Sequence, residues 1–593
     1  MSVLQKLTEG IQSRNLRQEG DALLEKWERT GLLEGMDSEH KRQGMARLLE
    51  NQAAQLLKEA STMAGGDVEG FASVAFPIVR RVFGGLIAND LVSVQPMSLP
   101  SGLIFFLDFT TSDPSTGKAG FWNGDSIYGG GVVGSQLTGG VNLTGTFAET
   151  GPYALNNGYA SATGSSIVYP VANCIVAWGT LEADEDPTGA QLQPDMATLK
   201  RYVQYDPDFT SGSLVAVVQI TGSTDINQFD VQDLITLTMP ASADWTQMRR
   251  LTQLTTGSTN PGNPENAGWK VTMVLQSTAS VNTDTAGGVA TIMRAAIATT
   301  NTTLTHNITD NFVAGGALGS VVGKAVWELE SNSAIPEIDI KVDSVAVTAM
   351  TKKLKAKWTP ELGQDLNAYH NLDAEVELTG ILSEQIALEI DQEILEDLIK
   401  GAKAGTYYWS RSPGLFVKKT TGKEVGASSA APDFTGTVSE WYETLLETVN
   451  DVSAQIHRKT LRGGANFLVT SPEVANIMEF TAGFRATVTA DDKKGQAGAV
   501  QVGTLNNKWD VHVDPYFPRN LVLVGRRGSG FLESGYVYAP YVPLQVTPTI
   551  FGTEDFVPRK GVMTRYAKKM VRPDMYGLVV VQGLLGGQAG ATS

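Results

Sequence analysis

The sequence predicts a multidomain α+β protein, and three observations lead to that prediction. The chain has 593 residues, more than one hydrophobic core usually supports, so two to four domains are expected. Hydrophobic residues make up 42% and charged residues 18%, as in ordinary globular proteins. Apolar residues recur at helical spacing in some segments and alternate as in strands in others. These segments give a helical arm, a β-rich central region and a mixed α+β remainder.

Residues 1–59 are predicted to form a charged helical arm. The segment contains nine basic and ten acidic residues, nearly double the average charge density of the chain. Its apolar residues keep helical spacing, for example at Leu23, Leu24 and Trp27 and again at Leu48 and Leu49. Such a pattern is typical of amphipathic helices.

Residues 60–111 are predicted to contain a short amphipathic helix, a turn and an apolar strand. Pro96 and Pro100 disfavour helix in the residues before them. The strand from Leu103 to Phe109 follows directly. A strand this apolar needs to be covered by another element or by another subunit.

Residues 112–322 are predicted to form a β-rich domain or long insertion. Gly, Thr, Ser and Asn are abundant, and the segment carries seven basic and seventeen acidic residues. Short runs such as "SLVAVVQI", "DLITLTM" and "WKVTMVLQ" read as strands between turns.

Residues 323–438 are predicted to contain a segment of strong strand alternation, "EIDIKVDSVAVTAMTKKLKAKWT", and a long spine helix. Thr359 and Pro360 are suited to be the N-cap and the first residue of a helix. The long helix is expected from about 373 to 403, because apolar residues follow one another at intervals of four from Leu378 to Leu398.

Residues 439–540 and 541–593 are predicted to form a mixed α+β domain and a C-terminal return to the preceding domain. A helix is expected near 440–458, and Ser471 is placed to cap another helix that begins at Pro472. Strands are expected at "NFLVTS", "WDVHVD", "NLVLVG" and "YVYAPYVPLQV".

Charge, cysteine content and hydropathy exclude several classes of protein. The formal net charge of −17 opposes long-range attraction to nucleic acid or anionic lipid. The single cysteine, Cys174, excludes an intrachain disulfide. The start of the chain lacks a signal-peptide pattern, and no uncharged apolar stretch is long enough to span a bilayer. We therefore expect no membrane partner and synthesis in the cytoplasm.

The residues indicate no enzyme, cofactor or metal. The five histidines are scattered, so zinc-type spacing is absent. "LGSVVGKA" lacks the first glycine and the hydroxyl of a phosphate loop, and "GDSIYG" lacks the second glycine of a nucleophile elbow. "GRRGSG" is interpreted as a turn rather than an anion site. Six acidic residues of the long helix are interpreted as a solvated or interface face: Glu384, Glu389, Asp391, Glu393, Glu396 and Asp397.

Several long motifs also resemble the major capsid protein of T-even-type tailed phages. "FPIVRRVFGGLIANDLVSVQPMSLPSGLIFFLDF" is similar to the opening of the mature protein of that family. "LKAKWTPELGQDLNAYHNLDAEVELTGILSEQIALEIDQEIL" is similar to its central helical stretch, and "YVYAPYVPL" with "VMTRYA" to its C-terminal part. The resemblance covers roughly 70–110 and 325–580, and residues 112–322 depart most from the family.

The resemblance implies the Hong Kong 97-type capsid fold. It implies a propeptide arm (1–59), an N-arm and the start of an extended loop (60–111), an extended loop with an insertion domain (112–322), a peripheral domain with the spine helix (323–438), an axial domain (439–540) and a C-terminal return (541–593). The implied function is self-assembly into hexameric capsomers of an icosahedral or prolate phage head.

The family resemblance also implies partners and processing. Expected partners are further copies of the chain, the vertex, portal, scaffold and prohead protease proteins, decoration proteins, a host chaperonin and packaged DNA bound without sequence specificity. The location is the virion capsid. Proteins of this family are cut after a glutamate that has an apolar residue two positions earlier and a small residue after it. Leu57, Glu59 and Ala60 fit this pattern, and Glu34 and Glu50 are weaker alternatives.

Three alternatives stay open from the sequence. A paralogous vertex protein would form pentamers and share most motifs. An encapsulin-like compartment would share the fold without a processed arm. A secreted carbohydrate-binding or hydrolytic β-protein is suggested only by residues 112–322.

Overall fold

The structure is a computed structural model that divides the chain into two compact units. One unit comprises Met1–Asp108, Tyr128–Val141 and Ile340–Ser593, and the other comprises Phe109–Ile127 and Asn142–Asp339. The residues described are 16–34, 39–60, 86–112, 126–127, 160–161, 169–170, 175–181, 196–209, 213–221, 245–256, 269–277, 303–304, 321–322, 337–425, 434–486, 500–528, 533 and 535–584.

The predicted bounds agree with the structure for the long helix and for the helix near 440–458, whereas the helix at Met196–Tyr202 was not predicted. In chain order the helices are α1 (Leu16–Glu28), α2 (Glu39–Ala60), α3 (Ala88–Leu91), α4 (Met196–Tyr202), α5 (Pro360–His370), α6 (Ala374–Gly401), α7 (Val438–Thr460) and α8 (Pro472–Glu479), with a 3₁₀ turn at Pro573–Met575. The Thr359 hydroxyl accepts from the N–H of Leu362, and the Ser471 hydroxyl accepts from that of Val474. Both predicted caps are thereby confirmed, as is the long helix.

The strands are numbered in chain order. They are β1 (Ser93–Val94), β2 (Ser101–Ser112), β3 (Ala160–Ser161), β4 (Tyr169–Pro170), β5 (Ile175–Thr180), β6 (Leu214–Thr221), β7 (Trp245–Thr256), β8 (Trp269–Ser277), β9 (Thr303–Leu304), β10 (Val321–Val322), β11 (Glu337–Thr348), β12 (Met350–Lys357), β13 (Thr406–Ser410), β14 (Phe467–Thr470), β15 (Phe484–Ala486), β16 (Val500–Leu505), β17 (Trp509–Val513), β18 (Leu521–Gly525), β19 (Tyr536–Val546), β20 (Ile550–Phe551), β21 (Pro558–Met570) and β22 (Tyr576–Gln582).

A five-stranded sheet in the first unit supports the long helix α6. Its order is β1-β19-β21-β12, and β20 pairs with β21. The apolar stripe of α6 supplies Ile386, Ile390 and Ile394 to the core, where they meet Tyr538 and Tyr566 of the sheet. Period-four spacing therefore marks the buried side of α6, as the sequence predicted.

A seven-stranded sheet forms a second core with α7. Its order is β13-β22-β18-β14-β17-β16-β15, so it combines strands from 467–525 with β13 and β22 from outside that range. Trp441, Leu445 and Val449 of α7 are buried against Leu468 and Val524 of the sheet. A capping box between Thr437 and Glu440 starts the helix; such a box satisfies two backbone donors reciprocally.

The strands β2 and β11 pair with each other as a two-stranded ribbon. On this ribbon Leu103, Ile340 and Val342 are 56 to 63% exposed. Large apolar side chains in such a row mark an interaction surface more often than an isolated exposed residue does.

The second unit contains a four-stranded antiparallel sheet of order β5-β6-β8-β7. Val215, Val217 and Val274 are buried in it, and Arg250 pairs with Asp206 and Asp208 at 2.9 and 3.4 Å. The predicted strands "SLVAVVQI" and "WKVTMVLQ" are confirmed as β6 and β8, whereas "DLITLTM" lies outside the described residues.

Candidate processing site and assembly surfaces

The predicted processing residues lie at the end of α2. The backbone is helical through Leu57, Glu59 and Ala60, where the helix ends. The last four carbonyls of a helix have no intrahelical N–H partner, so the final turn unwinds at little cost. Proteases prefer chain segments that open in this way.

The two alternative sites differ in their surroundings. Glu34 lies in the turn after α1 and is exposed. Glu50 lies in the middle of α2 and accepts hydrogen bonds from Lys26 Nζ at 2.7 Å and Trp27 Nε1 at 3.0 Å. A cut after Glu50 therefore requires loss of these contacts and of helix on both sides.

The helices α1 and α2 are docked on the core that α6 also covers. Trp27 of α1 is buried there, as are Met45, Ala46, Leu48 and Leu49 of α2 and Leu33 of the turn after α1. Burial of side chains of this size contributes about 1.5–3 kcal/mol each relative to exposure. Cutting a single peptide bond therefore does not by itself free residues 1–59.

Polar contacts fix the position of α2. Asn51 Nδ2 donates to the carbonyls of Met97 at 3.0 Å and Tyr541 at 3.2 Å. Lys41 Nζ lies 2.6 Å from Asp90 Oδ1. One neutral amide thus connects α2 to the backbone of two segments that are far apart in the chain, and the accompanying ion pair is partly exposed.

A charged cluster joins α6 to the five-stranded sheet. Glu393 lies 2.9 Å from Lys352 Nζ of β12 and 2.6 Å from Lys568 Nζ of β21, and it accepts the hydroxyl of Tyr566. Asp397, one turn further, lies 2.7 Å from Lys568. These contacts cross from the helix to two different strands.

The cluster changes the titration of its members. Burial alone raises the pKa of Glu393, but hydrogen bonds from Lys568, Tyr566 and Lys352 outweigh burial and lower the pKa to about 2. Burial raises the pKa of Tyr536, and the Asp397 carboxylate that accepts its hydroxyl at 2.8 Å adds to the rise. The Glu393 carboxylate is therefore charged and the Tyr536 phenol neutral at ordinary pH.

The acidic residues of α6 differ in part from the sequence interpretation. Glu396 is exposed and pairs within the helix with Lys400 at 2.5 Å, in keeping with a solvated face. Glu393 and Asp397 instead face the sheet of their own chain. Sequence reasoning did not predict that Lys352 and Lys568 contact these carboxylates. In each strand the lysine lies on the same face as the buried or half-buried alternate residues, which was the available signal.

The other sequence candidates gain no chemical role among the described residues. No group of three or more His, Cys, Asp and Glu is arranged there to hold a metal ion, and no helix there is long and apolar enough to cross a membrane. Arg526 of "GRRGSG" donates to the carbonyl of Gly464 at 3.1 Å, which is a structural contact. Most of "LGSVVGKA" and "GDSIYG" lies outside the described residues.

Comparison with known proteins decides the family. The family model described as major capsid protein Gp23 matches residues 68–198 and 236–589, most of the chain. The chain belongs to this major capsid protein family. The predicted resemblance to T-even-type major capsid proteins is confirmed, and so is the predicted location in the capsid.

Named relatives agree with membership of the Gp23 family. The major capsid protein of Vibrio phage KVP40 is 31% identical over 272 residues, covering 43% of this chain and 51% of the relative. That of Enterobacteria phage T4 is 30% identical, covering 39% and 44%. The capsid vertex protein of the same phage is 25% identical, covering 40% and 54%. The chain thus spans about half the length of the curated major capsid proteins that it matches.

Solved structures similar to this chain include phage capsids. The mature capsid protein of bacteriophage PhiM1 is 14% identical, with a TM-score of 0.27, covering 41% of this chain and 74% of that one. The capsid of Myoviridae phage XM1 is 9% identical, with a TM-score of 0.27, covering 42% and 79%.

Proposed function

We propose that this protein is a non-enzymatic structural subunit that assembles into hexameric capsomers of a tailed-phage head enclosing double-stranded DNA. The observation that carries the proposal is the match of the Gp23 family model to residues 68–198 and 236–589, which include α6 and both large sheets. Assembly is supported by the exposed apolar row of the β2–β11 ribbon, because a neighbouring copy can cover it. Many modest contacts add up in a closed symmetric lattice.

The proposal assigns Hong Kong 97-type parts to the observed elements. Helix α6 with the five-stranded sheet is the peripheral domain, and α7 with the seven-stranded sheet is the axial domain. The β2–β11 ribbon is the base of the extended loop, and residues 112–322 are its enlarged insertion. The acidic excess of that insertion favours an outer position, where charge keeps particles apart.

Maturation is proposed to occur by cleavage after Glu59. The scissile bond lies in the last helical turn, and its hydrolysis is irreversible, so the precursor shell cannot return to its starting state. Because α1 and α2 are docked on the core, release of the arm needs a second, non-covalent step after the cut. The proposed partners are the prohead protease, scaffold, portal and vertex proteins, with decoration proteins and a host chaperonin.

Intact-mass measurement on native particles tests the proposal. Chain from virus-sized particles is expected to have the mass of residues 60–593. Full-length mass in such particles would leave a shell but overturn the cleavage, and absence of the chain from particles would overturn the structural role.

The vertex protein is a second candidate, because a capsid vertex protein is among the relatives. A vertex protein forms pentamers and occurs in few copies. Counting copies per particle separates the two: hundreds of copies support the major protein, and a number limited to the vertices supports the alternative.

A further inference from the structure

The five-stranded sheet has a second face, opposite α6, that carries an unusual concentration of positive charge. Antiparallel register places Lys353 beside Met563, Lys355 beside Gly561 and Lys357 beside Arg559. Residues opposite one another in a ladder share a face, and Lys352, which contacts Glu393 of α6, lies on the other side. We call Lys353, Lys355, Lys357, Arg559, Arg565 and Lys569 the basic face.

The described part of this face holds no acidic side chain on β12 or β21. The positions between the cations are Thr351, Gly561, Met563 and Ala567. Arg559 pairs with Asp555 of the neighbouring loop at 2.6 Å, and Arg565 lies 5.3 Å from the ring centroid of Tyr541. Lys353, Lys355 and Lys357 are exposed, and the described residues supply none of them with an ion pair.

This local charge contrasts with the chain as a whole. The formal net charge is −17, so six cations on one sheet face are a local reversal of sign. Coulomb attraction at contact distance exceeds screened long-range repulsion, because the Debye length at physiological salt is about 8 Å. The face can therefore hold a polyanion that the whole protein does not attract from afar.

The geometry favours a phosphate backbone over a single small anion. Alternate residues of a strand lie about 6.7 Å apart, so the row from Lys353 to Lys357 is about 13 Å long. Phosphates advance about 3.4 Å per base pair along each strand of a duplex, so the row faces about four base pairs. Lysines act as point charges without the fixed fork of arginine, which suits sequence-independent contact.

We propose that the basic face binds the phosphate backbone of double-stranded nucleic acid through Lys353, Lys355 and Lys357. The inference rests on the proposed function, since a head subunit meets packaged DNA, and it names the surface that does so. The experiment below distinguishes this proposal from two alternatives. The lysines could contact an acidic surface of a second copy, or they could protect the edge strand β12 from unwanted strand pairing.

The test measures binding of unassembled full-length chain to a fluorescent duplex of about 20 base pairs. The variant Lys353→Gln/Lys355→Gln/Lys357→Gln is compared with Lys418→Gln/Lys423→Gln/Lys508→Gln, which changes three exposed lysines elsewhere and the net charge equally. At about 50 mM salt the first variant is expected to weaken binding by about tenfold or more. The salt slope should fall by about 2.7, because each phosphate contact contributes about 0.9.

Three results would overturn the proposal. Equal DNA binding by wild type and both variants, or equal weakening by both, means that the basic face has no special role. Lost particle assembly with unchanged DNA binding assigns the face to a second copy. Aggregation with unchanged DNA binding assigns the lysines to edge protection. Should the triple variant fail to fold, Lys355→Gln alone is expected to lower the slope by about 0.9.

Particle formation by the wild-type chain is scored separately. Failure to form particles would overturn the proposed function, whereas the DNA-binding difference between the two triple variants would remain measurable. Normal particles without that difference would overturn the basic-face proposal alone.

Discussion

The helices α2 and α6 cover the same core, yet they are attached to it by different chemistry. Helix α6 combines its apolar stripe with Glu393 and Asp397, which reach lysines on two strands. Helix α2 combines its apolar side chains with the neutral amide of Asn51, which donates to two backbone carbonyls, and with the partly exposed ion pair of Lys41 and Asp90. This difference indicates that the fold needs α6 for its stability and that it can lose α2.

Removing Glu393 from the cluster of α6 takes one carboxylate away from each of Lys352 and Lys568. Such a loss is costly inside a protein, so α6 cannot be lifted off the sheet in steps. Removing α2 leaves backbone carbonyls and the 44% exposed Asp90 side chain, all of which water can hydrate, and mainly costs apolar burial. A helix attached in the second way is suited to a segment that is discarded during assembly, and one attached in the first way to a permanent spine.

The largest expected effect comes from the core stripe of α6. Replacing the fully buried Ile390 by Ala should lower the free energy of unfolding of the first unit by about 2–5 kcal/mol. Hydrogen-exchange protection of β19 and β21 amides measures the loss, which should be the same in the full chain and in residues 60–593. The control Ile381→Ala lies on the same helix and is 60% exposed. Similar losses for both variants would contradict this assignment.

The second-largest effect measures how much the charged cluster of α6 contributes to stability, apart from the apolar packing of the helix. Glu393→Gln keeps the shape but removes the carboxylate that Lys352 and Lys568 share, so that among the described residues Lys352 keeps only Glu389 at 3.4 Å and Lys568 keeps only Asp397 at 2.7 Å. A pKa lowered from 4.5 to about 2 sets an upper bound of roughly 3 kcal/mol on the effect. Because the Glu393 side chain is 21% exposed and solvent screens the pair, we expect a loss of about 1–2 kcal/mol in unfolding free energy at neutral pH. Glu396→Gln removes the exposed carboxylate that pairs with Lys400 and should change stability little. Equal effects would show that the cluster is no stronger than a surface pair.

Low pH should weaken the attachment of α6 to the sheet more than the attachment of α2, because Glu393 becomes protonated. The folded chain holds the pKa of Glu393 at about 2, below the ordinary value of 4.5, so the unfolded chain takes up the proton first. The contribution of Glu393 is therefore complete above about pH 4.5 and is lost as the pH falls to about 2. The stability difference between wild type and Glu393→Gln, measured from pH 6 downward, should shrink toward zero. A difference that grows in acid would exclude this account.

Sequence reasoning predicted the two helices but only part of their attachment. The buried stripe of α6 and the caps at Thr359 and Ser471 follow from local spacing and local hydrogen bonds, which a linear sequence displays. The partners of Glu393 lie on strands far away in the chain, at Lys352 and Lys568, and sheet register decides that they meet. The amphipathic pattern of residues 1–59 likewise predicts an apolar face without saying what covers it. Register between distant strands is thus the information that the sequence lacked.

The smallest expected effect concerns Asn51. Asn51→Ala removes two hydrogen bonds from α2 and should weaken its docking by about 1 kcal/mol, seen as faster hydrogen exchange in α2 while α6 is unchanged. Asn51→Asp should weaken docking further, because an ionised carboxylate cannot donate and faces the carbonyls of Met97 and Tyr541. Asn and Asp have nearly equal helix propensities, so the difference between these two isolates the amide donor. If Asp holds α2 as firmly as Asn does, the amide contributes nothing to docking, and apolar burial with the partly exposed Lys41–Asp90 pair attaches the arm.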